Sequence, residues 1–158
     1  MRRRTMALTA LVLALVVLAG PASAASITVR PDPDDSSSSL DIRKVWSDAA
    51  PSGVLIRVGT WNAMRFREGI FLVELDTQGS PAYDLQIEIM PGLCLVEKLD
   101  GEFIGRRDPT RPDPRDITCR MPTGWFGIEK TVRFVVLSVD GSGRTLDRAP
   151  NDRRFVGL

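Results

Sequence analysis

With no histidine anywhere in its 158 residues, this chain must build any chemistry from carboxylates, three tryptophans and one pair of cysteines. That composition removes Ser-His-Asp and Cys-His catalysis and every His-containing zinc or copper site. Two cysteines fall short of the four that an all-thiolate zinc site needs. No P-loop, no GxGxxG opening a strand–helix unit and no GxSxG elbow occurs. A pair of carboxylates is what remains, the arrangement by which glycosidases supply an acid and a base or nucleophile. Glu74 and Glu88 fall on adjacent candidate strands and both point away from the apolar face, so they read first as solvated outer-face charge. Aromatic residues make up only 6% of the chain, too few to line the cleft of a small secreted glycosidase. The chain is expected to be non-catalytic, with a carboxylate-based hydrolase as the minority reading.

Two stretches carry oxygen ligands in a pattern a hard cation could use. In residues 76–84, DTQGSPAYD, the groups at Asp76, Gln78, Ser80 and Asp84 resemble a calcium loop of the D-x-D-G-D type, with Gln and Ser in place of two carboxylates. The alternative for this stretch is a polar hairpin turn. Asp32, Asp34, Asp35 and Asp41 form a second acidic cluster, which reads as a solvated linker. No cofactor is expected, calcium at the first stretch being the alternative. Trp46, Trp61 and Trp125 are the aromatics large enough to stack on a sugar ring or a partner, Trp61 and Trp125 being the candidates for ligand contact. The alternative is that they cap the ends of a sandwich.

The first 24 residues give these groups a compartment. Arg2, Arg3 and Arg4 precede an apolar run over 7–19, Gly20-Pro21 breaks it, and Ala22-Ser23-Ala24 offers the small-x-small pattern of a signal peptidase site. The run is too short for a bilayer-spanning helix, which takes about 20 apolar residues. Residue 25 is Ala rather than Cys, so no lipoprotein anchor is expected. Cleavage leaves 134 residues with 18 basic and 20 acidic side chains, a formal charge of −2. A mildly acidic domain with interspersed charges lacks the electrostatic footprint for nucleic acid or an anionic membrane. Outside the cytoplasm, Cys94 and Cys119 are expected to form a disulfide.

Short strands must then position the groups. Residues 25–39 read as an acidic, Ser/Pro-rich N-terminal segment whose first few residues could make a strand, and 40–158 as the domain. Period-2 alternation marks strands at 40–45, 54–61, 70–77 and 83–90. Strands at 93–99 and 102–106 flank Asp100-Gly101, the signal of a two-residue type I′ hairpin. The run RRDPTRPDPRD, 106–116, is expected to be irregular because of its three prolines. Further strands follow at 117–121, 131–140 and 145–147, with a helical turn near 122–127. About eight or nine strands without helical partners imply an all-β fold, a two-sheet antiparallel β-sandwich of jelly-roll or Ig-like type.

The segments DPDDSSSSLDIRKV (32–45), RVGTW (57–61), LDTQGSPAYDLQIEI (75–89), ITCRMPTGWFG (117–127), VRFVVLSVD (132–140) and DRAPN (147–151) together resemble a group of small secreted β-sandwich proteins of high-GC Gram-positive bacteria. Through the acidic D-P-x-x-D segment ahead of L-D-I, that group is distantly similar to DOMON-like and family 9-like carbohydrate-binding modules. The resemblance implies a jelly-roll-type sandwich and permits calcium or carbohydrate binding. The expected function is a secreted, non-catalytic binding or interaction module at the cell envelope or outside the cell, its ligand a polysaccharide or a protein. A calcium-stabilised structural or accessory domain is the alternative. Intact-mass measurement of the exported protein is expected to show a chain starting at Ala25 and two hydrogens lighter than its reduced form; a retained leader or a full complement of thiol hydrogens would contradict this processing.

Overall fold

Alternation is the physical origin of the architecture, since successive side chains of a strand point to opposite faces and one face can be apolar throughout. The computed structural model describes residues 25–28, 32–50, 53–78, 82–126, 133–149 and 156–157. The candidate leader, 1–24, and Ser80 lie outside the described residues. Two antiparallel sheets form a β-sandwich. One has five strands in the order β1 (Ala25–Thr28), β2 (Ile42–Ala50), β3 (Gly53–Thr60), β9 (Asp116–Met121) and β8 (Thr110–Asp113). The other runs β11 (Thr145–Ala149), β10 (Arg133–Val139), β4 (Ile70–Asp76), β5 (Leu85–Met90), β6 (Leu93–Lys98) and β7 (Phe103–Arg107), with β12 (Val156–Gly157) also paired to β10. Among the described residues no helix is long and apolar enough to cross a membrane.

The inner faces meet in one core. Val54, Ile56 and Val58 of β3 and Ile117 and Cys119 of β9 come from the five-stranded sheet. Phe71, Val73 and Leu75 of β4, Ile87 and Ile89 of β5 and Phe134 and Val136 of β10 come from the other, and all are fully buried. Burying a side chain of this class contributes roughly 1.5–3 kcal/mol, so the interleaved faces dominate the stability. Cys94 on β6 and Cys119 on β9 form a disulfide across the two sheets, with a Cα–Cα distance of 6.2 Å.

Several sequence expectations need correction. The described residues contain twelve strands rather than eight or nine, the additions being short edge or terminal pieces such as β8 and β12. Residues 106–116 are not wholly irregular, because β7 runs to Arg107 and β8 occupies Thr110–Asp113. All four β8 residues are exposed, and at a sheet edge the missing N–H of Pro112 is tolerated. Strand β2 begins at Ile42 and extends to Ala50, well past the expected end at 45, because β3 offers a pairing partner along that whole length. The β6–β7 connection is a three-residue loop rather than a two-residue one. Lys98 N–H donates to Glu102 O, Gly101 N–H donates to Lys98 O, and Gly101 holds a positive φ of 90° that a glycine adopts without strain. The turn near 122–127 is present as a single 3₁₀ turn, Thr123–Trp125.

A Cys94→Ala, Cys119→Ala double variant is expected to unfold in urea with about 3–4 kcal/mol less stability than the oxidised protein, from the chain entropy that the bridge removes. Equal unfolding midpoints would show that the inter-sheet bridge contributes nothing.

Candidate functional site

The N-terminal acidic segment packs onto the sandwich instead of standing off as a solvated linker. Asp32 N–H donates to Arg43 O at 2.7 Å, and Leu40 inserts fully buried into the core. Trp61, just past the end of β3, holds the segment from the other side: its backbone N–H donates to Asp41 O at 3.0 Å and its indole N–H to Asp32 O at 3.1 Å. Within the loop, Ser36 N–H donates to Asp41 Oδ2 and Leu40 N–H to Ser38 Oγ, short-range bonds that serine and aspartate form readily. Ser39 N–H donates to Glu68 Oε2 at 2.9 Å, and that bond holds the Glu68 carboxyl below its usual range. An open cleft of about 410 Å³ beside this contact is lined by Ser37, Ser39, Asn62, Ala63, Arg65 and Glu68.

This folding brings buried carboxyls together. Asp41 is fully buried and Asp32 is 5% exposed. Asp147 reaches them from β11 in the opposite sheet, 7% exposed, with Oδ2 accepting the Ile42 N–H at 2.6 Å and Oδ1 the Arg148 N–H. One oxygen each of Asp35, Asp41 and Asp147 lie within 4.8 Å of one another, Asp35 on the exposed side. Burial pushes Asp32 up to about 7, with the charges of Asp147, Asp35 and Asp41 adding to it. Burial likewise raises Asp41 to about 7, opposed by the Ser36 N–H and reinforced by the Asp34 and Asp147 carboxyls. Asp147 is raised by burial against the opposing N–H groups of Ile42 and Arg148. Neither Asp41 nor Asp147 forms an ion pair with any described residue, and Asp41 Oδ1 is buried and meets no N–H or hydroxyl donor.

Asp147 is the residue that sequence reasoning passed over. It lies 105 positions from its partner Ile42. The available signal was its parity with the buried Ala149, which places a carboxylate on the inner face of β11.

The other candidate residues are placed as follows. In the 76–84 stretch, Asp76 Oδ1 accepts the Gln78 N–H, while Asp84 accepts both the backbone N–H and the hydroxyl of Thr77. These are short-range bonds of the kind that Asp and Thr form readily, and residues 79–81 between them lie outside the described residues. Trp61 is half-buried and engaged with the loop. Trp125 packs over Gly105, where an added Cβ would come within 2.4 Å of the indole, and the Arg107 guanidinium lies over its ring at 4.9 Å. Trp46 is on the outer face of the five-stranded sheet with Lys44 and Arg57 over its ring at 4.2 and 4.8 Å. Arg57 also pairs with the buried Asp116, and Arg43 approaches the same carboxylate at 3.8 Å.

The outer face of the seven-stranded sheet differs. Cross-strand register lines up Arg148, Leu137, Leu72, Glu88, Leu95 and Arg106 in one row, and Val135, which is buried, with Glu74, Gln86, Glu97 and Phe103 in the next. Ile70, Met90 and Leu93 extend the apolar band, and these three with Leu72, Leu95 and Leu137 are each only half-buried. Glu88 accepts a bond from Gln86 Nε2 at 3.2 Å, and none of Glu74, Glu88 and Glu97 forms an ion pair with a described residue. Compared with protein-family models, with curated proteins and with solved structures, the chain matches none.

The buried carboxyls set a pH dependence opposite to ordinary acid unfolding. Below the unfolded aspartate value of 3.8 both states are protonated; as pH rises, the unfolded chain ionises first and the native state, with Asp32 and Asp41 near 7, is left behind. Their stabilisation is therefore present below about 3.8 and lost as pH approaches 7. Asp140 acts in another window: the Ser142 hydroxyl, together with the Arg144 and Ser142 N–H groups, lowers it to about 2, so its contribution disappears only as pH falls toward that value. In chelator, the thermal midpoint is expected to fall between pH 4.5 and 7, and Asp147→Asn to flatten that fall; a midpoint rising steadily over the interval would contradict the placement of these groups.

Proposed function

We propose that the chain is an exported, non-catalytic interaction module that presents the outer face of its seven-stranded sheet to a partner carrying apolar and cationic groups. The carrying observation is the band of half-buried Leu72, Leu95 and Leu137 interleaved with Glu74, Glu88 and Glu97, none of which forms an ion pair with a described residue, Arg148 and Arg106 standing at the two ends of the leucine row. An apolar patch on one open side of a sandwich supports an interaction role, because a two-layer fold needs only its inner faces to be apolar. The carboxylates within it would discriminate in favour of a basic amphipathic segment of a protein over a neutral polysaccharide. Export is supported by the leader pattern over 1–24 and by the disulfide between Cys94 and Cys119.

Of the other readings, the hydrolase asks Glu74 and Glu88 to converge in a cleft. Their place in neighbouring rows of one open sheet face supports surface charge instead. Carbohydrate stacking asks for a free aromatic face. The contacts of Trp61 and Trp125 favour structural roles for both.

The test uses oxidised mature protein on two immobilised probes, a lysine-bearing amphipathic peptide and insoluble cell-wall polysaccharide. Retention on the peptide is expected, reduced at least tenfold by Leu95→Asp or by Glu74→Lys combined with Glu88→Lys, with the fold intact by circular dichroism. Retention on the polysaccharide alone, unchanged by these substitutions but lost in Trp61→Ala or Trp125→Ala, would overturn the proposal in favour of a carbohydrate module.

A further inference from the structure

A second site lies apart from that face, where the N-terminal loop meets the start of β2 and the last strands. We propose that Asp35, Asp41 and Asp147 form a divalent-cation site of the calcium class, which clamps the acidic loop to both sheets.

Three observations carry the inference. The first is geometric: with one oxygen of each carboxyl within 4.8 Å of the others, an ion at their centre would lie about 2.8 Å or less from every oxygen. Calcium–oxygen distances are roughly 2.3–2.6 Å and adjustable, whereas magnesium demands about 2.0–2.1 Å in a rigid octahedron. The 4.8 Å limit accommodates the longer, adjustable calcium distances after a small inward closure of the three side chains. The second observation is the partnering of Asp41. It is fully buried, its Oδ2 is held by the Ser36 N–H, and its Oδ1 meets no N–H or hydroxyl donor, its side-chain neighbours being the Asp34 and Asp147 carboxyls. A buried acceptor left without a donor costs on the order of 1–3 kcal/mol, more when it is charged, and a cation removes that cost. Third, no described Lys or Arg pairs with Asp41 or Asp147, although Arg43 and Arg57 close by are engaged with Asp116. Buried carboxylates such as Asp41 and Asp147 need a counter-charge, and no described cation supplies one to either.

The arrangement also has a way in. Asp35 is exposed while Asp41 and Asp147 are buried, so an ion would enter from the loop side and keep water ligands there. Asp32 is a neighbour whose charge is felt by the same pocket. The site is distinct from the 76–84 turn, whose Asp76 and Asp84 are not part of the three-carboxylate cluster. Because Asp41 precedes β2 and Asp147 lies on β11, occupancy would tie the two sheets together at the end remote in sequence from the disulfide.

The experiment is a calcium titration of the oxidised mature chain, first stripped with chelator, followed by calorimetry and by the thermal midpoint. One saturable site per chain is expected, with a dissociation constant of about 10⁻⁴–10⁻³ M and a midpoint rise of roughly 5–10 °C at a hundredfold excess over it. Asp147→Asn, which keeps an oxygen for the Ile42 N–H, is expected to abolish saturable binding. Should that variant fail to fold, exposed Asp35→Asn is expected to weaken binding at least tenfold. Asp84→Asn is expected to bind as the wild type does. Terbium serves as an independent probe: excitation of Trp61, bonded to the Asp32 carbonyl, should sensitise its emission, and excess calcium should quench that emission by displacement. Two results overturn the proposal: no saturable heat and an unmoved midpoint when calcium is raised to about 0.1 M, a hundredfold excess over the weakest expected constant, or loss of binding in Asp84→Asn but not in Asp147→Asn and Asp35→Asn. Substitutions on the seven-stranded sheet's outer face leave this readout unchanged, so the two proposals fail separately.

Discussion

Everything in this molecule hangs on the closure of two sheets over one dry interior. Once the inner faces of β3, β9, β4, β5 and β10 meet, each buried residue between them excludes water for its neighbours, and each polar group trapped there must find a partner. The Cys94–Cys119 bridge reinforces that closure at one place. At another, the closure is made by a carboxylate: Asp147 reaches from β11 to accept the Ile42 N–H of the opposite sheet. A backbone donor at the start of β2 is thereby satisfied across the layer boundary rather than along a ladder. The cost of that solution is a buried carboxyl, and the loop from Asp32 to Asp41 packs further carboxyls around it.

The two outer faces have been treated differently by the sequence. On the five-stranded sheet, Trp46 is covered by Lys44 and Arg57, and Arg57 is in turn anchored by Asp116, so polar and aromatic groups serve one another. Gly59 beside them leaves room for the indole, since a Cβ there would meet both Trp46 and Asp116. On the seven-stranded sheet the leucines are half-buried and the glutamates form no ion pair with a described residue, the nearest cations in register being Arg148 and Arg106 at the two ends of the leucine row. That asymmetry is why the interaction role is assigned to one face, and why the tryptophans are poor guides to it. Each of the three is large enough to bind a ligand, and each is in contact with its own chain.

Legibility in the sequence followed the range of the interactions. Strands β3, β4, β5 and β10 were readable because a period of two survives wherever one face is wholly apolar. Strand β8 was unreadable because Pro112 and its charged neighbours carry no such period; it exists because β9 supplies an edge to pair with. The Asp100-Gly101 signal located a hairpin but not its loop length, which is decided by the register shift between Val96 and Glu97. The acidic segment was visible as composition and misread as solvated. Nothing local to residues 32–41 reveals that Trp61 and Arg43 hold the segment down through backbone carbonyls.

The sequence by itself determined the alternation that makes two apolar faces, the positions of most strands, the exclusion of histidine-based and thiolate-zinc chemistry, and the single possible intramolecular cysteine pairing. Those properties depend on residue type and on neighbours a few positions away. Only the tertiary structure decided which carboxylates are buried, that Asp147 joins Asp35 and Asp41 from the far end of the chain, and which tryptophans are already engaged. Burial and counter-charge are properties of a place in three dimensions, assembled here from two sheets and a loop. A carboxylate alternating into a strand near the C-terminus carries no mark of the loop that will enclose it until the sheets close.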